Sequence, residues 1–197
     1  MKNLVIAFLL LTSLARVHAD NILENGDFAD GTSHWYGDGR PPSDFAPENP
    51  LDKPDPFTSK GLIMPLKELD WTRMAQDFKG RIASGILTLT YMLSPDLTFS
   101  TKPEDYVNMP AHIHYGGWKS VNTPPGAWVV FIADFGSAHG SYYTIRPNLG
   151  STGAQTYKLP FSKLTPLEDK TITIAFPPGK GTVVILNVSL TAETSSP

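Results

Sequence analysis

His112-Ile113-His114 is the pair in this chain whose type and spacing most resemble a metal site. On a strand, residues two apart point to the same side, so both imidazoles can reach one ion. A zinc or iron site needs a further ligand, which His139, Asp134 or Glu104 would supply. Nothing in the spacing makes these converge. The alternative is that 111–115 lines a polar, aromatic rim where the imidazoles hydrogen-bond neighbours or a ligand. Nucleophile chemistry has no support: there is no Gly-x-Ser-x-Gly elbow and no glycine-rich phosphate cradle before a helix. A glycosidase needs two carboxylates across a cleft, and none of the many loop acids is marked as half of such a pair.

The aromatic set is more informative. Trp71, Trp128 and Tyr142 are candidates for stacking on the C–H faces of sugar rings, and Tyr115 and Trp118 would close a rim. Arg73, Asp134 and Arg146 stand on the same strand faces as three of these rings and would direct hydrogen bonds to hydroxyls. Core or inter-sheet packing is the competing role for each ring.

These side chains need strands to hold them. Apolar alternation marks 61–66, 71–78, 85–94, 127–135, 141–146, 155–161, 171–176 and 182–190, each bounded by turn residues. Leu87, Leu89, Tyr91 and Leu93 share one face, as do Ile172, Ile174 and Phe176. Val184, Leu186, Val188 and Leu190 should alternate inward in the same way. The 127–135 segment is apolar on both faces, which places it near the middle of a sheet. Phe28, Leu87, Leu89, Phe131, Ile174 and Val188 are expected to be buried. The stretch 37–57 holds six prolines, lacks their amide donors and must be irregular. No useful helical periodicity and no internal repeat is present. The pattern predicts an all-β chain, an antiparallel two-sheet β-sandwich whose first and last strands lie close together.

Residues 1–19 read as a signal peptide: Lys2, the apolar run 4–14, then Val17-His18-Ala19 before Asp20. The expected organisation is therefore a signal peptide over 1–19, one domain over 20–190 and a flexible tail over 191–197. The expected address is secreted or periplasmic. Loss of Lys2 and Arg16 makes the formal charge of −3 two units more negative, which argues against a nucleic-acid partner. The apolar run is short for a membrane span. With no cysteine, neither disulfides nor thiolate metal sites are possible.

The two ends of the domain carry motifs. The opening Asn21-Ile-Leu-Glu-Asn-Gly-Asp-Phe-Ala-Asp-Gly begins with a short apolar strand, Ile22-Leu23, and turns at Asn25-Gly26 and Asp30-Gly31 before Trp35. The closing segment is Leu186-Asn-Val-Ser-Leu190. Together they resemble the carbohydrate-binding modules of the galactose-binding-like superfamily; Gln76 and Tyr91 fit the Gln-bearing and Tyr-bearing strands of that family. The resemblance implies a jelly-roll sandwich that binds a polysaccharide or glycoconjugate without chemistry. It also raises a structural calcium near Glu24, Asp27, Asp30 and Asn187. Two family ligands are replaced, by Ala29 after Phe28 and by Leu186 in the closing motif. The other reading of these acids is that they bond the backbone of their own turns. Two rival functions stand beside glycan binding: a structural or adhesive cell-envelope protein that binds another protein, and a metal-dependent enzyme built on His112 and His114.

Overall fold

The computed structural model describes residues 21–45, 61–79, 82–100, 126–134, 140–151, 153–167 and 169–192. Side chains at 42, 45, 131, 133, 134, 140–142 and 163–167 are not described. Among the described residues, eleven strands run in order β1 (Tyr36–Gly37), β2 (Leu62–Pro65), β3 (Thr72–Phe78), β4 (Ile82–Leu93), β5 (Thr98–Phe99), β6 (Trp128–Asp134), β7 (Gly140–Ile145), β8 (Gln155–Leu167), β9 (Lys170–Phe176), β10 (Gly179–Lys180) and β11 (Thr182–Ala192). The described residues hold no α-helix, only a 3₁₀ turn at Pro42–Phe45.

One sheet has the order β1-β3-β9-β6-β7, the other β2-β11-β4-β8, and β10 pairs with β5 as a separate ribbon. Every pairing is antiparallel. The core lies between the two larger sheets. Leu87, Leu89, Tyr91 and Leu93 enter it from β4, and Ile172, Ile174 and Phe176 from β9. Each large apolar side chain so buried contributes about 1.5–3 kcal/mol. Phe28, Leu87, Leu89, Ile174 and Val188 are buried as expected, and Phe131 falls among the undescribed side chains. β6 occupies the interior of its sheet, between β9 and β7.

Several expectations are corrected. Trp128 is fully buried in the core, edge-on to Tyr91 (4.6 Å) and Phe176 (4.8 Å). Its Nε1–H has no hydrogen-bond partner among the described residues. On β11 the inward positions are Val183 and Ile185, then Val188 and Leu190. A bulge between Ile185 and Asn187 inserts one residue and switches the face, so Val184 and Leu186 do not join the main core. β11 also continues through Thr191 and Ala192, which pair with Ile86 and Gly85, so a tail does not begin at 191. Residues 1–20 and 193–197 lie outside the described residues.

Ile22-Leu23 belongs to a run of turns rather than a strand. The segment is still fastened to β11: Ile22 N–H donates to Leu190 O (2.9 Å) and Val188 N–H to Gly26 O (2.7 Å). Asn21 adds a side-chain clasp, accepting from Leu190 N–H (2.8 Å) and donating to Val188 O (3.3 Å). Gly26 is required there, because a Cβ would meet Val188 O at 2.1 Å. Asn25 adopts φ 46°. Its amide donates to Gly31 O and Ser33 O and accepts from Asp30 N–H, which closes the loop on itself. Buried Gln76 on β3 completes the tie, donating to Glu24 O (2.7 Å) and accepting from Glu24 N–H (2.9 Å).

Two outcomes follow from this packing. Gln76→Leu leaves a main-chain donor and acceptor unpaired and should lower stability by about 2–4 kcal/mol in urea unfolding. Trp128→Phe removes the orphan indole N–H along with some volume and should cost no more than about 1 kcal/mol, whereas Trp128→Ala should cost about 3–5 kcal/mol.

Candidate ligand-binding site

Of the aromatic and charged residues singled out in the sequence, those whose side chains are described, Trp71, Arg73, Trp128 and Arg146, do not gather at one surface. Trp128 is inside the sandwich. Trp71 precedes β3 and is buried on the opposite side of the five-stranded sheet, in a small cluster with Val129 and Ala175. That outer side is closed, since Ala75, Thr171 and Thr173 there are buried as well. Arg73 is beside Asp70 (3.4 Å), and its N–H donates to Asp38 Oδ2 (2.9 Å). Arg146 is exposed just beyond β7. Asp134 stands opposite Lys170, and Tyr142 opposite Phe131, in the strand register. Tyr115, Trp118, His112, His114, His139 and Glu104 lie outside the described residues.

A pocket of about 510 Å³ opens where β3 ends and β9 begins, lined by Ile22, Glu24, Asp77, Phe78, Lys79 and Asp169. Its volume is in the range of small-molecule sites. The turns of the opening segment bring in Ile22 and Glu24. The β3–β9 pairing brings Asp77 beside Thr171 and Phe78 beside Lys170. Ile22 and Phe78 give apolar wall, and three carboxylates and one ammonium stand around it. Asp77 is oriented from behind: its Oδ1 accepts from Tyr36 Oη–H (2.9 Å) and Thr171 Oγ1–H (2.6 Å). This leaves a held carboxylate next to apolar surface, a combination suited to a polyhydroxylated ligand. Sequence reasoning missed Asp77, Lys79 and Asp169. They come from two strand ends 90 residues apart and form no local motif; only Asp77's outward place beside inward Gln76 was readable.

Two of the acids suggested for calcium, Glu24 and Asp27, are engaged locally. Glu24 Oε2 is 3.1 Å from His34 Nδ1, and Asp27 Oδ1 accepts from Ala29 N–H (3.3 Å). Asn187 follows the bulge of β11 and stands opposite Thr90. No three His, Asp or Glu side chains come together as a metal-binding group among the described residues.

Two hydroxyls carry a pH signature. Burial pushes the Tyr36 phenol well above its ordinary value of 10.0, and the hydrogen bond to Asp77 and its charge push it further. Burial raises Tyr91 too, with Tyr157 adding to the shift. In the unfolded chain these phenols ionise from about pH 10, while in the folded chain they stay neutral to higher pH. The stability they contribute is complete below about pH 10 and is lost as pH rises beyond it. The melting temperature should be level between about pH 7 and 9 and fall above about pH 10. The fall should be smaller in Tyr36→Phe.

No family model matches the chain, and no curated protein matches it in sequence. Solved structures do match in shape. The second carbohydrate-binding module of family 16 superposes with a TM-score of 0.50 at 12% identity, over 87% of this chain and 99% of that module. An arabinose-bound GH51 α-L-arabinofuranosidase gives a TM-score of 0.55 at 11% identity, over 90% of this chain and 27% of the enzyme. A CBM61 module solved with β-1,4-galactotriose gives 0.48 at 13% identity, over 88% of this chain and 99% of that one. The chain therefore has an antiparallel two-sheet jelly-roll β-sandwich fold, like the structures it superposes on.

Proposed function

We propose that this protein binds a polysaccharide or glycoconjugate, leaves it chemically unchanged, and does so at the pocket between the opening segment and the β3–β9 end. The observation that carries the reading is the Asp77 carboxylate, fixed by Tyr36 and Thr171 within a ligand-sized pocket that also has apolar wall. A sugar ring offers C–H surface to Ile22 and Phe78 and hydroxyls to Asp77, Asp169, Glu24 and Lys79. The match to nearly the full length of a carbohydrate-binding module supports the same reading. No helix among the described residues is long and apolar enough to cross a membrane. We take residues 1–19 to export the domain, so that its ligand is met outside the cytoplasm.

Retention on insoluble polysaccharides, followed by a glycan array, tests this directly. Lys79 and Asp169 are at the rim, so their replacement should spare the fold. Lys79→Ala and Asp169→Asn, the asparagine keeping the φ of 46° at that position without strain, should each weaken binding by about 0.5–1.5 kcal/mol, roughly two- to tenfold, with unchanged melting temperature. Failure of the wild-type protein to bind any glycan would overturn the reading, as would a double variant that binds like wild type. Release of new reducing ends from a bound polysaccharide would overturn its non-catalytic half.

A further inference from the structure

The end of the sandwich opposite the pocket carries a second depression. A groove of about 290 Å³ is lined by Glu68, Leu69, Thr98, Phe99, Ser100, Gly179 and Lys180. Its floor is the β5–β10 ribbon, where Gly179 pairs with Phe99 and Lys180 with Thr98. The turn before β3 fastens that floor, with Gly179 N–H donating to Lys67 O (2.8 Å) and Leu66 N–H to Gly181 O (2.9 Å). Gly179 keeps the floor shallow: a Cβ there would meet Thr98 O at 2.2 Å. Leu69 is 90% exposed at the tip of the same turn, the most exposed large apolar side chain among the described residues. On the rim, Lys180 Nζ is 3.4 Å from Glu68 Oε1.

An exposed leucine and a half-buried phenylalanine beside a charge pair and a threonine hydroxyl make a surface that is apolar and hydrogen-bonding at once. An apolar protein side chain seated there would strip water from the Glu68–Lys180 pair and offer it no hydrogen bond in return. A sugar unit stacks its C–H face on Leu69 and Phe99 and keeps both charges hydrogen-bonded through its hydroxyls. The opposite charges of the rim balance, which suits an uncharged sugar; the pocket at the other end sets three carboxylates against one ammonium.

The two depressions are separated by the length of β3. Its seven residues span roughly 23 Å at 3.3–3.4 Å each. We propose that the groove is a second glycan site, specific for neutral sugar units, and that the protein is bivalent, holding two chains or two distant points of one chain at its opposite ends. This rests on glycan binding at the pocket, because two ends are needed to cross-link. Bivalence raises avidity for a polymer with no new contact at either end.

Nitrogen-15 NMR titration of the full chain with cellohexaose, xylohexaose, mannohexaose and β-1,4-galactotriose reads both ends at once. The expected result is amide shifts around Leu69, Phe99 and Lys180 as well as around Glu24, Lys79 and Asp169. Leu69→Ser, a change at a solvated tip, should weaken the groove about tenfold and leave the pocket's titration unchanged. Shifts at the pocket alone overturn the second site and leave the glycan-binding reading standing. Shifts at the groove alone overturn bivalence and the pocket's assignment. Shifts at neither end with all four sugars overturn both.

Discussion

The two hydrogen bonds between the Gln76 side chain and the Glu24 peptide hold the rest of the architecture in register. Gln76 is in the five-stranded sheet, while the segment around Glu24 is bonded to β11 of the four-stranded sheet. A buried carboxamide offers one donor and one acceptor side by side, which matches a peptide group as a neighbouring strand would. The tie thus replaces a strand pairing that the turns of the opening segment cannot make. Asn25 and Gly26 serve the same constraint: one folds the segment back on itself, and the other lets it approach Val188.

The pocket inherits its shape from that constraint. Ile22 and Glu24 reach it only because the opening segment is pinned to β11 on one side and to Gln76 on the other. Tyr36, next along the chain, crosses to Asp77 from the edge strand β1. Pinning the opening segment in this way lowers the ordering cost for any ligand seated on that side of the pocket.

Much of the fold was legible because period-two alternation survives wherever one sheet face is buried. Leu87, Leu89, Tyr91 and Leu93 were readable for that reason, and the turn pairs Asn25-Gly26 and Asp30-Gly31 marked the opening loop. Alternation fails where one residue is inserted. The bulge between Ile185 and Asn187 leaves no mark in composition, so Val184 and Leu186 read as inward. It also fails where both faces are covered: β6 is apolar on either side, and nothing in a tryptophan says which way Trp128 turns. The pocket was illegible for a different cause. Asp77 and Asp169 are brought together by antiparallel pairing, a relation between distant segments that no window of sequence contains.

The clasp between Asn21 and Val188 joins residues 167 positions apart. Closing so long a loop is entropically costly, and contacts of this separation slow the search for the native state. While a ribosome is still making the chain, β11 is the last of the described strands to appear, and until it does β2 and β4 have no strand to bridge them. The four-stranded sheet, and the opening segment that hangs on it, must wait for β11. Until that moment the β2 and β4 edges stand open, and whatever handles the nascent chain has to keep them from neighbours.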